Sequence, residues 1–421
     1  MSQFNAQTLG LQLEKVRDKV PLLYQQDHSL FDRIMKRDVE KVSSRNMRIP
    51  LKILAGGKAR QVNPDGGGLG RGSGTTYDIA QATPVYLAFA SEMSYLTEIS
   101  TDSKEKAVEN AAKAELENAM EGFRTFVEAL LNTDGSGTLD SVATGTGTVV
   151  GSFQIIVNNA NAFYDNQDIQ IFSALGGTNR GKVTILSVDA NNKALNLAAA
   201  TPVPAGTVPG DLLIIDGAPG TAASSLFGIE YHHVDSNVGT WMQLQRSAYP
   251  GKLDTPHVGA AGSLITPVLV RMLIQKQRRA LGAATGAKDS MLFHLGLDQE
   301  AAWENVGSVV SQVITNQVTG SSSQDMLKKN APTTIAGRST LVSIHAQPGR
   351  IDLLAPDHWF RAENRAMDYY DVDGQTIFPT YDTTGGIQTT NIFYLFTGMQ
   401  ICMDGPRFGA YMDGLMLPPG Y

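Results

Sequence analysis

The sequence predicts an α+β fold carrying a small inserted β-barrel-like domain. Three observations lead there. Residues 102–131 keep helical spacing with one apolar stripe. Residues 143–220 hold five short strand-like runs divided by turn residues. Residues 49–84 place two strand-like runs on either side of a glycine-rich stretch. A chain of 421 residues also exceeds what one small core serves, so more than one compact unit is expected.

The first 48 residues read as an arm. LQLEKVRDKVPLLYQQD and SLFDRIMKRDVEKV have helical spacing, with Leu13, Val16 and Val20 on one face and Phe31 and Ile34 on another. Pro21 breaks the first of them. MRIPLKIL and TTYDIAQATPVYLAFASEMSYLTEI are then strand-like, flanking GGKARQVNPDGGGLGRGSG. Together they describe a two-stranded excursion whose tip gains conformational freedom from glycine.

The helix at 102–131 starts at Asp102, with Glu105 three residues on in the manner of a capping box. Its stripe is Val108, Ala112, Leu116, Met120, Phe123, Val127 and Leu130. Thirty residues at about 1.5 Å each make a rod of roughly 45 Å. Beyond it, QIIV, DIQIF, KVTILSVD, KALNLA and DLLIID are the five short strands. After Gly220 the patterning is mixed again. LFGIEYHHVD and TWMQLQ are strand-like, and Thr266-Pro267 opens a helix to about Leu281. Asp298 caps another helix with Trp303, Val306, Val310 and Val313 on one face. LVSIH, RIDLLA, TIFP and IFYLFTGMQICM complete the strands.

Composition narrows the function. Cys402 is the only cysteine, which excludes an intrachain disulfide and paired-cysteine zinc sites. There is no apolar signal core and no membrane-length apolar run, so the protein is expected to be soluble and made in the cytoplasm. The net charge of −7 is uneven: residues 1–60 carry +6 and the remainder −13. A basic arm on an acidic body suits nucleic acid or the acidic body of a second copy.

The search for chemistry finds near-motifs only. GLGRGSG misses dinucleotide-loop spacing and leads into no helix. Gly176 to Lys182 begins like a phosphate loop, but Val183 stands where the magnesium-binding hydroxyl belongs and a strand follows, which predicts a hairpin turn. Asn132, Asp134, Ser136, Gly137 and Asp140 mimic a calcium loop, but Ala143 replaces the bidentate glutamate, so a helix terminator is expected. His232 and His233 in a strand would point to opposite faces, one into the core and one to solvent. No catalytic constellation, cofactor site or metal site is expected.

The order of parts resembles the major capsid protein of tailed bacteriophages, the Hong Kong 97-type shell fold: a basic arm, a glycine-tipped two-stranded loop, a long capped helix, then a mixed α/β region. The resemblance covers the chain apart from 143–220. It implies an N-arm at 1–48, an E-loop at 49–84 and a P-domain at 85–142 with spine helix 102–131. The P-domain returns at 221–262, the A-domain spans 263–390, and C-terminal strands at 391–421 close the P/A core. It also implies that the E-loop lies across a neighbouring subunit, with Lys58, Arg60 and Arg71 meeting acidic groups there.

On this resemblance the chain is a non-enzymatic shell subunit forming pentamers and hexamers around packaged double-stranded DNA, which it contacts without sequence specificity. Its partners are itself, a separate scaffolding protein, a portal and, in some relatives, a decoration protein, with no membrane. It resides in the virion and assembles in the host bacterial cytoplasm. The 48 residues ahead of the loop are too few for a fused scaffold, so an uncleaved N-terminus is expected. The loop tip PDGGGLGRGSG offers Arg71 but no lysine amine, so subunits are expected to stay uncross-linked, with Lys58 the one alternative nucleophile. Competing readings are an encapsulin-like bacterial nanocompartment shell, whose family is shorter and has no such insert, and a β-rich hydrolase.

Overall fold

The computed structural model describes residues 29–36, 40–43, 46–61, 70–94, 111–143, 150–282, 290–315, 334–381 and 385–418. The expected helix start at Asp102 and Glu105 lies outside these residues. So does the helical run expected at 11–27. Within them the long helix spans Ala111–Leu131, and the inner members of its stripe, Phe123, Val127 and Leu130, have no exposed surface.

The chain divides into two units. The first comprises the described parts of Met1–Phe31, Val85–Glu128 and Glu363–Met399. Its strand Val85–Ser94 pairs antiparallel with Ile387–Met403, in register from Thr390 opposite Ser94 to Met399 opposite Val85. Alternation follows from the pleat. Leu87 and Met93 are buried, and the Phe89 ring lies tilted against Phe123, centroids 6.0 Å apart. Tyr86, Ala88, Ala90 and Glu92 face solvent. The Glu128 carboxylate, fully buried, accepts the backbone N–H groups of Leu30 (3.2 Å) and Phe31 (2.8 Å). These N–H groups open a single helical turn, Ser29–Arg33, which is what the arm's second helical run forms at its start. The chain is extended again at Met35–Lys36 and Glu40–Ser43.

The second unit comprises Asp32–Pro84, Ala129–Ala362 and Gln400–Tyr421. It holds two six-stranded sheets. One has the order Thr138–Ser141, Leu212–Ile215, Asp168–Phe172, Asn179–Asp189, Ala194–Leu197, Gln154–Ile156. It contains all five expected strands and takes in a sixth, Thr138–Ser141, upstream of residue 143. Its first and last strands meet at a bridge between Val142 and Val157, and Ile155, Ile169, Ile171, Val183 and Leu213 fill its interior. Gly176 to Thr178 lie in the expected hairpin turn, and Asn179 to Lys182 already belong to the strand Asn179–Asp189. Lys182 there binds Asp168 and Asp216, each at 2.7 Å.

The other sheet has the order His257–Gly259, Ala410–Asp413, Ile351–Leu354, Leu292–Leu295, Arg338–Val342, Thr334–Ile335. Helices Pro267–Leu281 and Leu297–Thr315 share one core with its apolar face, formed by Val258, Met412, Ile351, Leu353 and Phe293. Thr266 caps the first helix as expected, its hydroxyl accepting from Leu269 N–H at 3.3 Å. Asp298 does not cap the second. The Gly296 carbonyl accepts the first helical bond, from Glu300 N–H at 3.0 Å. The Asp298 carboxylate turns away to accept Gly349 N–H at 2.8 Å.

The calcium-loop mimic is a terminator. Asp134 accepts from Ser136 N–H at 2.9 Å. Asp140 accepts from the N–H groups of Ser141, Asn158 and Asn159 at 2.7, 2.7 and 2.6 Å, which uses its lone pairs on the protein's own backbone. LFGIEYHHVD is not a strand. Gly228 sits against the end of the long helix, where a Cβ would lie 2.2 Å from the Thr133 carbonyl oxygen, and Ile229–His232 then coils into one helical turn. TWMQLQ is a tight hairpin whose turn residues Met242 and Gln243 have φ of 46° and 66°.

Candidate assembly site

The glycine-rich stretch caps a β-ribbon. Asn46–Leu54 pairs antiparallel with Thr76–Ala82, from Met47 opposite Ala82 to Lys52 opposite Tyr77. Directly paired residues share a face. Met47, Ile49, Ala80 and Ala82 are buried. The other face carries Arg48, Pro50, Lys52, Tyr77 and Ile79, with Tyr77 68% and Ile79 43% exposed. This face therefore leaves two large apolar side chains in solvent beside Arg48 and Lys52.

The ribbon is anchored at its base. Gln81 N–H donates to the Met242 carbonyl at 2.9 Å, and the Tyr249 hydroxyl donates to Asp78 at 2.6 Å. Beyond Leu54 the two legs stay close. Gly57 N–H donates to the Ser73 carbonyl at 2.7 Å, and a Cβ on Gly56 would lie 2.6 Å from Gly74 backbone. Only glycine fits that approach.

Lys58, Arg60 and Arg71 all lie on this continuation of the legs, and all are exposed. The fold gathers them: Lys58 backbone sits opposite Gly72, and the Arg60 guanidinium lies over Gly70. Lys58 lies beyond the strand, which ends at Leu54. Residues 62–69, the tip itself, lie outside the described residues.

The sequence did not point to the polar face of the helix-covered sheet. Register places His257, Tyr411, Asp352 and His294 side by side across four strands. Asp352 is the hub. Arg350 forks onto it (Nε 2.9 Å, Nη2 3.0 Å) and His233 Nδ1 donates to it at 2.7 Å. Burial alone would raise the Asp352 carboxyl, but Arg350 and His233 hold it well below the usual carboxylate range. Arg350 Nη1 also reaches Glu230, at 3.1 Å. Burial, opposed by Arg350 and reinforced by Asp134 and Asp352, pushes the Glu230 carboxyl up to about 7.

Both histidines are buried, not one inside and one out. The helical turn places them on neighbouring positions inside the core, so strand alternation does not apply. His233 Nε2 faces Gly409, where a Cβ would lie only 2.0 Å away. His232 Nδ1 accepts the Trp241 indole N–H at 3.0 Å, and its Nε2–H donates to the Ile401 carbonyl at 3.2 Å. Burial drives His232 down to about 3, so it is a neutral structural link. Cys402 is buried in its strand, as expected of an inert thiol. No group of His, Cys, Asp and Glu among the described residues has metal-binding geometry. No helix among them is long and apolar enough to cross a membrane.

No family model matches the chain, and no curated protein matches its sequence. Solved structures do match it. A chain of the cyanophage A-1(L) capsid asymmetric unit superposes with a TM-score of 0.55 at 11% identity, over 96% of this chain and 96% of that one. A chain from the capsid of a native GTA particle gives 0.47 at 9% identity, over 95% and 94%. One from the mature capsid of bacteriophage PhiM1 gives 0.45 at 9%, over 97% and 93%. The fold is that of tailed-phage capsid proteins.

Proposed function

We propose that this chain is the major capsid protein of a tailed bacteriophage, a structural subunit that self-assembles as pentamers and hexamers into an icosahedral shell around double-stranded DNA. The observation that carries the proposal is the end-to-end overlap with the cyanophage capsid chain, 96% of each. The ribbon supports it: a two-stranded projection with one apolar-cationic face exposed has ordering to gain from a neighbour.

In this reading the parts follow the Hong Kong 97-type layout. Residues 1–48 are the N-arm, 49–84 the E-loop, 102–131 the spine helix, 263–390 the A-domain, and the sheet closed by Val142 and Val157 is an inserted barrel. The P-domain occupies 85–142, whose last strand Thr138–Ser141 the barrel takes in, and 221–262, and 391–421 supplies the strands that close the P/A core. Lys58, Arg60 and Arg71 reach acidic groups of the next subunit, drawn by the net −13 of residues 61–421. A separate scaffolding protein, a portal, a decoration protein and packaged DNA are the remaining partners. The shell assembles in the bacterial cytoplasm and resides in the virion.

The test is assembly of purified chain, followed by sedimentation, with Tyr77→Asp and Ile79→Asp as variants of the exposed ribbon face. Megadalton particles from the unaltered chain, lost in the variants while each remains folded by circular dichroism, support the proposal. Folded monomer from the unaltered chain under all assembly conditions, scaffold included, refutes it. Particles boiled in detergent are expected to run as one band near 45.2 kDa. A high-mass ladder would overturn the non-covalent shell and point to Lys58.

A further inference from the structure

The two helices that cover the six-stranded sheet bury one side and expose the other. Helix Pro267–Leu281 buries Val270, Leu273 and Gln277. Opposite them, Val268, Met272, Gln275 and Arg279 recur at helical spacing as one exposed stripe, with Arg271 alongside. Val268 is 66% and Met272 43% exposed. This helix has Arg271, Lys276, Arg278 and Arg279 and no acid.

The second helix is its electrostatic complement. It buries Asp298, Gln299 and Ala302. Its outward stripe is Leu297, Glu300, Ala301 and Glu304, with Leu297 43% exposed and no Lys or Arg anywhere in Leu297–Thr315. Burial, and after it the like charge of Glu304 one turn away, raises the Glu300 carboxyl. A cation brought from outside relieves that repulsion.

We propose that the basic stripe of one copy docks on the acidic stripe of the next, Arg271 and Arg279 against Glu300 and Glu304, with Val268 and Met272 over Leu297 and Ala301. The interface rests on the shell reading and names the surface by which its rings close. Charge dictates the pairing. Either stripe set against itself brings like charges together, whereas unlike stripes attract, and the apolar residues at their centres supply area to bury. Where each copy offers its basic stripe to one neighbour and its acidic stripe to the other, the contact is head-to-tail, and repeating it generates a ring when the rotation closes, whereas a reciprocal pairing of both stripes would stop at two chains.

Buried Cys402 leaves the chain silent to oxidation, so an added cysteine pair reports the contact directly. Met272→Cys and Ala301→Cys are introduced together, and singly, into the full chain, and assembled particles are oxidised and run on a non-reducing gel. The double variant is expected to give a ladder ending at five and six chains, with each single variant remaining monomeric on the gel. Particles without a ladder, a ladder stopping at two, or cross-linking of either single variant overturns the interface while leaving the shell intact. An unaltered chain that forms no particles overturns the shell reading itself. Charge exchange gives a second readout: Arg271→Glu with Arg279→Glu should lower particle yield at least tenfold, and adding Glu300→Arg with Glu304→Arg should restore it. No loss in the first variant contradicts the pairing.

Discussion

The indole N–H of Trp241 donates to Nδ1 of His232 at 3.0 Å, which fixes the proton of that fully buried imidazole on Nε2, where it meets the Ile401 carbonyl. A ring so placed has no room for a second proton. Its folded value near 3 lies below its ordinary 6.5, and burial also lowers His233. Between those pH values the unfolded chain binds protons that the folded chain refuses. Stability from the pair is therefore complete above about 6.5 and is lost as pH falls from there. Urea unfolding between pH 4 and 8 should show that acid loss, and Trp241→Phe, which orphans Nδ1, should destabilise by about 1–3 kcal/mol at pH 8. Stability flat across that range contradicts the assignment.

Glu230 acts with the opposite sign. Its folded value of about 7 exceeds its ordinary 4.5, so the folded chain keeps a proton that the unfolded chain releases, and its contribution falls as pH rises through that window. Glu230→Gln removes the fall. The stability of the variant relative to the unaltered chain should climb between pH 4.5 and 7, by on the order of 3 kcal/mol at about 1.36 kcal/mol per unit. A difference that does not vary with pH would falsify the protonation proposed for this carboxyl.

Gly409 and Gly259 make a matched pair of substitutions. A Cβ on Gly409 would lie 2.0 Å from His233 Nε2, whereas on Gly259 the nearest atom is His257 Cε1 at 3.7 Å. Gly409→Ala must displace a buried ring that is tied to Asp352. It is expected to cost several kcal/mol or all soluble protein. Gly259→Ala should fall within about 1 kcal/mol of the unaltered chain. Equal melting temperatures for the two would show that the ring yields easily.

Much of the secondary structure could be read from the sequence, because its signals were local. Thr266-Pro267 opens a helix through a cap and a fixed φ, and the five strands at 154–215 are bounded by turn residues that need no tertiary help. What stayed hidden was set by distant partners. GIEYHHV has a strand's composition, but Gly228 wedged at the end of the long helix forces a turn instead. Asp298 has a cap's position, yet Gly349, 51 residues later, claims its carboxylate. Of the site, the ribbon was legible, because two strand-like runs flank the glycine-rich stretch. The row His257, Tyr411, Asp352, His294 was not, since only the register of four strands assembles it.

The sheet of Thr138–Ser141 to Leu212–Ile215 has its own apolar interior, and Ile215 N–H donates to the Gly137 carbonyl at 3.0 Å where the chain enters and leaves. A fragment of residues 137–217 should therefore fold alone, with a dispersed amide spectrum and a cooperative melt. A fragment starting at 143 loses the strand that pairs with Leu212–Ile215 and should be markedly less stable. Equal stability of the two fragments would exclude Thr138–Ser141 from the unit.

The central claim is that this chain builds a closed shell, and electron cryomicroscopy of assembled particles tests it most directly. A capsid subunit gives icosahedral shells with five-fold and six-fold capsomers, in which density for the ribbon 46–82 of one copy rests on its neighbour. Discrete small oligomers without icosahedral symmetry, or shells in which the Tyr77 and Ile79 face remains open to solvent, would contradict it.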